Sequence, residues 1–312
     1  MRGTGPRILG RRQAEDRLMD AVRRPRFSPR LAPYLFILPT VVLFVVVLGV
    51  PLINLVVYAV GDSNIYQGFT GWNSFENFRY LATSRFAKTI GVTLVWLVGG
   101  VAGIVVTGMI VALALNRPIP GRGLFRALVI IPWVVPHAFA AAMWSWVIHP
   151  QFGMLNEVLL RLGLIAAPIS FLSANTALAT VIVVRIWQGA PFMIITLIAA
   201  LQTVPSEIEE AADLDGANAW QKFRYVTLPH ILPVLMVSTL IISAWTLQIF
   251  DTVYIMTNGG PSRATQIVAL DIYSKVFVES DLGSGAAIAL VTLAVVAIIG
   301  WWALRQQEER AA

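Results

Sequence analysis

Arg185 stands about ten residues into a long apolar run, and Gln188-Gly189-Ala190-Pro191 follows it at once. A lipid-facing arginine at mid-membrane costs about 2.5–3.5 kcal/mol on insertion scales, so this guanidinium is expected to face an interior. Pro191 withdraws a backbone donor and frees the carbonyl of Trp187, and Gly189 loosens the same turn. The expected result is a kinked, partly unwound helix with backbone groups free to bind the hydroxyls of a solute. Trp133 and His137 lie one helical turn apart in another apolar run and flank Pro136, and Thr246 in a third could face the same cavity. An aromatic face ringed by donors and acceptors is the chemistry of reversible, noncovalent capture. A plainer reading stays open: Arg185 paired with Asp251 or a neighbouring carbonyl, His137 as a packing residue and Trp133 as core filling.

Covalent chemistry finds little support. The chain has no cysteine, which excludes a disulfide framework, a thiolate metal site and a cysteine nucleophile. His137, His149 and His230 fall on separate segments without metal-ligand spacing, so no metal or other cofactor is expected. No pair of mid-span carboxylates, Ser–His pair or H-E-x-x-H serves an intramembrane enzyme, and Glu209-Glu210 and Glu308-Glu309 read as solvated. A G-x4-G-K-[ST] phosphate loop is absent; Gly121-Arg122-Gly123 lacks both its lysine and its spacing.

The elements that must position these residues are membrane helices. Of the 312 residues 57% are apolar and 13% charged, against about 45–50% and about 25% in soluble domains. The excess forms six runs at roughly 33–60, 88–115, 124–148, 176–200, 231–256 and 285–304, each near the 20 residues that cross about 30 Å of hydrocarbon. Such continuously apolar runs satisfy their backbone groups in lipid only as helices, which predicts an all-α polytopic membrane protein. Sixteen basic residues fall on the side of the N-terminus and six on the other, which predicts both termini in the cytosol. Nine of the sixteen are arginines of the first 30 residues, so the net charge of +6 reads as a topology signal, not a nucleic-acid footprint. The expected organisation is a poorly ordered basic arm at 1–32, a first helix at 33–60, an outer connection at 61–87, a five-helix core at 88–304 with a cytosolic loop at 205–229, and a tail at 305–312. The first apolar run is too long for the core of a cleavable signal peptide. Phe75, Phe78, Tyr80-Leu81 and Phe86 could line one face of a short helix on the membrane surface.

The loop has its own logic. Ser206 and Glu209 have the spacing of a capping box, and Glu207, Glu209 and Glu210 load the positive end of a helix. Asp215-Gly216 predicts a break, a second short helix is expected at about Asn218–Tyr225, and Pro229 and Pro233 punctuate the approach to the next span. A small-sided helix fixed at a glycine corner is suited to lie in a cleft of another protein and move as a lever.

The spacing E-A-A-x3-G-x9-[IV]-x-L-P, carried by Glu210-Ala211-Ala212, Gly216 and Val226-Thr227-Leu228-Pro229, resembles the signature of the membrane subunits of binding-protein-dependent ABC importers. Phe250-Asp251-Thr252-Val253-Tyr254, Thr257-Asn258-Gly259-Gly260-Pro261, Tyr273 with Phe277, Ile131 to Pro136 and Trp187 to Phe192 are similar to stretches of the sugar-importer branch, maltose-permease-type half. The resemblance covers roughly residues 33–304, and Val226 stands where isoleucine is commoner. It implies the type I permease fold in a prokaryotic cell membrane. It implies as partners a second, similar permease subunit, two ATPase subunits that hold ATP and Mg, an extracytoplasmic solute-binding protein and a sugar, with alternating access driven through the loop. It further implies ATPase coupling at Glu207, Glu210, Ala211, Ala212, Asp215, Gly216, Ala217, Phe223, Leu228 and Pro229. The implied sugar pathway is Trp133, His137, Arg185, Gln188, Gly189, Phe192 and Thr246. Two alternatives stand beside it: a permease for glycerol phosphate or a polyol, since Arg185 suits a phosphate ester, and a secondary transporter acting alone. The latter calls for mid-span carboxylates, whereas Asp251 falls near a span end.

Overall fold

The computed structural model describes residues 32–311, and it forms two compact units divided between Val56 and Val57. The expected basic arm lies outside the described residues, Ala32 excepted. In the first unit, α1 (Ala32–Phe44) leads through a π-helical turn (Val45–Gly49) into α2 (Val50–Val60), which continues into the second unit. The wide turn precedes Pro51, which cannot donate to the carbonyl of Val47 and whose ring would collide with it.

After the end of α2 the second unit carries a short two-stranded antiparallel hairpin, β1 (Gly61–Asn64) and β2 (Gly68–Trp72), within an otherwise helical architecture. The expected surface helix is a 3-10 turn (Glu76–Ala82), pinned by the Asn77 amide, which donates to the carbonyls of Tyr58, Ala59 and Gly61. Helix α3 (Ser84–Asn116) follows, its N-terminus capped by Thr83, which accepts the Phe86 N–H at 3.2 Å.

After α3 come α4 (Arg122–Val134), α5 (His137–Val147), α6 (Met154–Arg161) and α7 (Ala177–Leu201). Then come α8 (Ser206–Leu214), α9 (Ala219–Lys222), α10 (Leu228–Gln248), α11 (Asp251–Thr257), α12 (Val268–Tyr273) and α13 (Leu282–Ala311). Among the described residues five helices are long and apolar enough to cross a membrane, and a sixth span exists if the bent pair α4–α5 is counted as one.

The third expected span is therefore not continuous. It turns by 99° between Val134 and His137. Pro136 would clash with the carbonyl of Pro132 four residues back, and it drives Val135 into extended backbone (φ −70°, ψ 124°). The fifth span also differs: the helix begins at Ala219, passes through a π turn (Phe223–Thr227) ahead of Pro229 and through Pro233, and stops at Gln248. Pro229 stands in the first turn of the α-helical stretch that follows the π turn, while Pro233 lies inside it.

The core forms where α3 meets α7. A Cβ on Gly103 would overlap the Ile186 side chain, and one on Gly108 would overlap Met193, so glycines let the two backbones approach. Ile104, Met193, Leu197, Ile231 and Ile242 fill one buried cluster, and Trp96, Val181, Val184, Val253 and Leu270 a second.

Candidate functional site

A cavity of about 450 Å³ opens where α4, α5, α7 and α10 converge on the break before α11. Six of the seven pathway candidates line it: Trp133, His137, Arg185, Gln188, Gly189 and Phe192. The seventh, Thr246, does not face the cavity as expected but is fully buried behind Arg185. Its Oγ1 accepts from Arg185 Nε at 3.2 Å and from Nη2 at 3.0 Å and donates to the Ile242 carbonyl at 2.7 Å. The Thr246 carbonyl is held in turn by Trp96 Nε1 at 3.0 Å, a residue that sequence reasoning missed because nothing local marks it. This chain of contacts fixes the guanidinium at the cavity wall, 3% exposed, and it forms no ion pair with Asp251, which lines the same cavity.

Helix α7 is continuous through Gly189 and Pro191, which corrects the expectation of an unwound segment. Gly189 serves close packing: a Cβ there would strike both Ile104 and Arg185 Nη1. The unwinding occurs one element away. Gln188 Nε2 donates at 3.0 Å to the Val135 carbonyl left over at the α4–α5 break, while Gln188 Oε1 is buried without a hydrogen-bond partner among the described residues. A buried acceptor in that state costs about 1–3 kcal/mol and is suited to a donor brought by a ligand.

Phe192 lies between Trp133 and Trp245, with ring centroids at 6.0 and 4.9 Å. Trp245, Gln248 and Asp251 also line the cavity. Their place depends on the end of α10: Ile249 is extended (ψ 112°), and Phe250 is anchored against Tyr254 and Tyr273, each ring 5.0 Å away. The motif around Asp251 was visible in the sequence, but this turn toward the cavity was not.

The segment 205–229 forms a helical corner at one end of the spans. The expected Ser206–Glu209 box is absent; Ser206 is already helical, and Pro205 sits at the cap without a side-chain bond. Gly216 (φ +75°) ends α8, with its N–H on the Asp213 carbonyl and that of Ala217 on Ala212, both at 3.0 Å. The capping box occurs instead at Asn218 and Gln221, and Lys222 Nζ ties the two arms at 2.7 Å from Asp213. Glu207, Glu210, Ala211, Asp215, Gly216 and Pro229 are exposed, Ala212, Ala217, Phe223 and Leu228 half-buried. Leu214 is 90% and Tyr225 73% exposed, apolar surface on an otherwise acidic corner.

Near the start of α3, Asp271 is fully buried and accepts from Arg263 (2.7 Å), Tyr80 (3.0 Å), Gln266 (3.3 Å) and Thr89 (3.4 Å). Burial, and then the Asp271 carboxylate, pushes the Tyr80 phenol up to about 12 and keeps it a donor. The Thr257 to Pro261 motif is part of this scaffold: Thr265 Oγ1 bonds Thr257 at 2.7 Å and the Gly260 carbonyl at 3.0 Å.

The family model of binding-protein-dependent transport system inner membrane components matches residues 104–309. The chain belongs to that family. Among relatives of this permease, the trehalose/maltose transport system permease protein MalF of Thermococcus litoralis is 31% identical over 84% of the chain and 89% of its own length. The diacetylchitobiose uptake system permease protein DasB of Streptomyces coelicolor is 33% identical over 89% and 88%. The permease fold also matches a chain of a bacterial ABC transporter that imports the acidic polysaccharide alginate, with TM-score 0.77 and 22% identity over 94% of this chain and 99% of that one.

Proposed function

We propose that this chain is one of two membrane subunits of an ATP-driven importer, and that the 450 Å³ cavity is its half of the binding site for an uncharged mono- or disaccharide. The observation that carries the reading is the acceptor Gln188 Oε1, without a partner among the described residues, beside the tethered Arg185 donors and the Trp133–Phe192–Trp245 rings. Hydroxyls satisfy the acceptor and the guanidinium, and a pyranose face lies against an aromatic ring. Relatives whose names specify trehalose, maltose and diacetylchitobiose support the class. Arg185, which forms no ion pair among the described residues, favours the second reading, an anionic head such as glycerol phosphate, but Asp251 on the same wall opposes it.

The termini and the 205–229 corner face the cytosol in this proposal, in keeping with the sixteen-to-six distribution of basic residues. The exposed apolar side chains of the corner enter a cleft of an ATPase subunit that holds ATP and Mg. Closure of the ATPase pair moves the corner as a lever and rocks the spans around the cavity, while an extracytoplasmic binding protein delivers the sugar. Coupling needs contacts that differ between the two states. A solo transporter fits poorly with a binding-protein-dependent family.

The test is reconstitution of the complex purified from its native membrane, with ATP inside liposomes and labelled disaccharides or glycerol phosphate outside. ATP-dependent uptake of a neutral sugar is expected. Uptake of the phosphate ester alone would favour the second reading, and recovery of this chain without an ATPase would refute the importer. Gly216→Pro, which cannot adopt φ +75°, is expected to assemble yet lose the stimulation of ATPase by loaded binding protein.

A further inference from the structure

A second cavity, of about 250 Å³, lies between α3, α4 and α7. Its polar and apolar residues are sorted by depth. Arg126 stands in the second turn of α4, Leu115 is one residue from the end of α3, and Gln202 follows the last residue of α7. These three positions mark the same end of three spans, where the apolar runs stop. Away from that end the lining is aliphatic. Ile130 lies about 6 Å deeper than Arg126 along α4, and Ile198 and Ile194 lie about 6 and 12 Å deeper than Gln202 along α7, at 1.5 Å per residue. The cavity thus has the polarity of a lipid in one leaflet: polar groups at headgroup level, aliphatic walls within a hydrocarbon half-thickness of about 15 Å.

The charge at that end has one sign. Arg117, Arg122 and Arg126 follow one another closely, and between Glu76 and Glu157 the sequence has no acidic residue. None of the three arginines forms an ion pair among the described residues. Arg117 and Arg122 are exposed, and Arg126 is half-buried. Arg126 Nη2 donates to the Leu115 carbonyl at 3.2 Å, so the last turn of α3 holds the guanidinium at the cavity. Its Nε is buried without a partner among the described residues. A buried donor on a charged group is costly to leave unmet, and an anionic oxygen satisfies it best.

We propose that this cavity binds one anionic phospholipid, with the phosphate on Arg126 and Gln202 and an acyl chain along Ile130, Ile194 and Ile198. Arg117 and Arg122 supply the field that favours a net negative headgroup over a zwitterionic one. A free phosphate would satisfy the guanidinium but leave the aliphatic walls in water, so the ligand needs both ends. The leaflet is the cytosolic one in the orientation proposed above, and the transported solute plays no part in the binding.

The assembled complex, delipidated in detergent, is titrated with phosphatidylglycerol or phosphatidylcholine, and bound lipids are counted by native mass spectrometry. The parent is expected to hold one phosphatidylglycerol that Arg126→Gln binds about thirtyfold more weakly, the worth of a hydrogen bond to a charged group. Ala199→Trp keeps all three arginines and fills the cavity from an exposed lining position, and it is expected to lose the same lipid. Arg117→Gln, outside the lining, is expected to stay within about fivefold of the parent, the effect of one surface cation. Equal losses at Arg117 and Arg126 with Ala199→Trp unchanged would leave only a diffuse basic surface and overturn the site. Equal binding of phosphatidylcholine would overturn the anionic assignment, and displacement by excess inorganic phosphate would replace the lipid with a free anion. A parent complex that binds no phosphatidylglycerol would refute the proposal outright. The counts are read without nucleotide, binding protein or sugar, so failure here leaves the importer reading standing, and a wrong solute leaves the counts unchanged.

Discussion

Helix α7 runs unbroken from Ala177 to Leu201 through Gly189 and Pro191, whereas the neighbouring apolar run stops at Val134, turns by 99° and restarts at His137. Both carry a proline, and both sequences read locally as breakable. Pro191 and Ala190 are buried, and α3 packs its glycines against the same helix, so tertiary contacts hold α7 straight and the missing donor costs one hydrogen bond. The α4–α5 run has two prolines four residues apart, Pro132 and Pro136, and its break is supported from outside by Gln188. The difference teaches that a proline frees backbone groups only where a neighbour accepts them and no packing forbids it.

The contrast breaks most severely at Pro136. Pro136→Ala lets α4 continue into α5, displaces Trp133 relative to His137 and strands Gln188. Sugar uptake is expected to fall by about 100-fold, on the scale of a helix break worth about 3 kcal/mol, with the complex still recovered from membranes. Arg185→Ala comes next. It removes charged hydrogen bonds worth about 1.5–3 kcal/mol, so transport kinetics should drop about 10- to 100-fold with assembly intact; normal kinetics would remove its proposed role. Gln188→Ala leaves the Val135 carbonyl unpaired at about 1–3 kcal/mol, and a loss of about tenfold in uptake, partly restored by Gln188→Asn, is expected. Pro191→Ala should be the mildest, within about threefold of the parent, because α7 is helical there already and gains one bond of about 1 kcal/mol. A large effect at Pro191 would show that α7 bends during transport and would undo the contrast.

The candidate site was legible to different depths. Arg185 and Gln188 announced themselves as polar groups within an apolar run, a signal that needs no neighbours. Trp96 and the turn that brings Gln248 and Asp251 to the cavity had no local signal, because a buried indole and an extended Ile249 acquire meaning only from contacts across the fold. Thr246 was placed on the right helix and given the wrong face, a hydroxyl that holds Arg185 instead of facing the solute. Ser206 was assigned a cap that Asn218 supplies on the next helix, since both segments carry the same S/N-x-x-E/Q spacing.

The sequence by itself determined the features set by composition and short-range sterics: apolar runs long enough to cross a bilayer, the basic asymmetry that predicts their direction, the glycine corner at Gly216 and the absence of thiol chemistry. Those depend on residue type and near neighbours alone. Only the tertiary structure decided which proline breaks a span, which face of α10 holds Arg185, and which side chains of α4, α7 and α10 line a common cavity. Each of these depends on whether a distant group supplies the missing hydrogen bond or fills the space, and pairings of that kind form only when the helices meet.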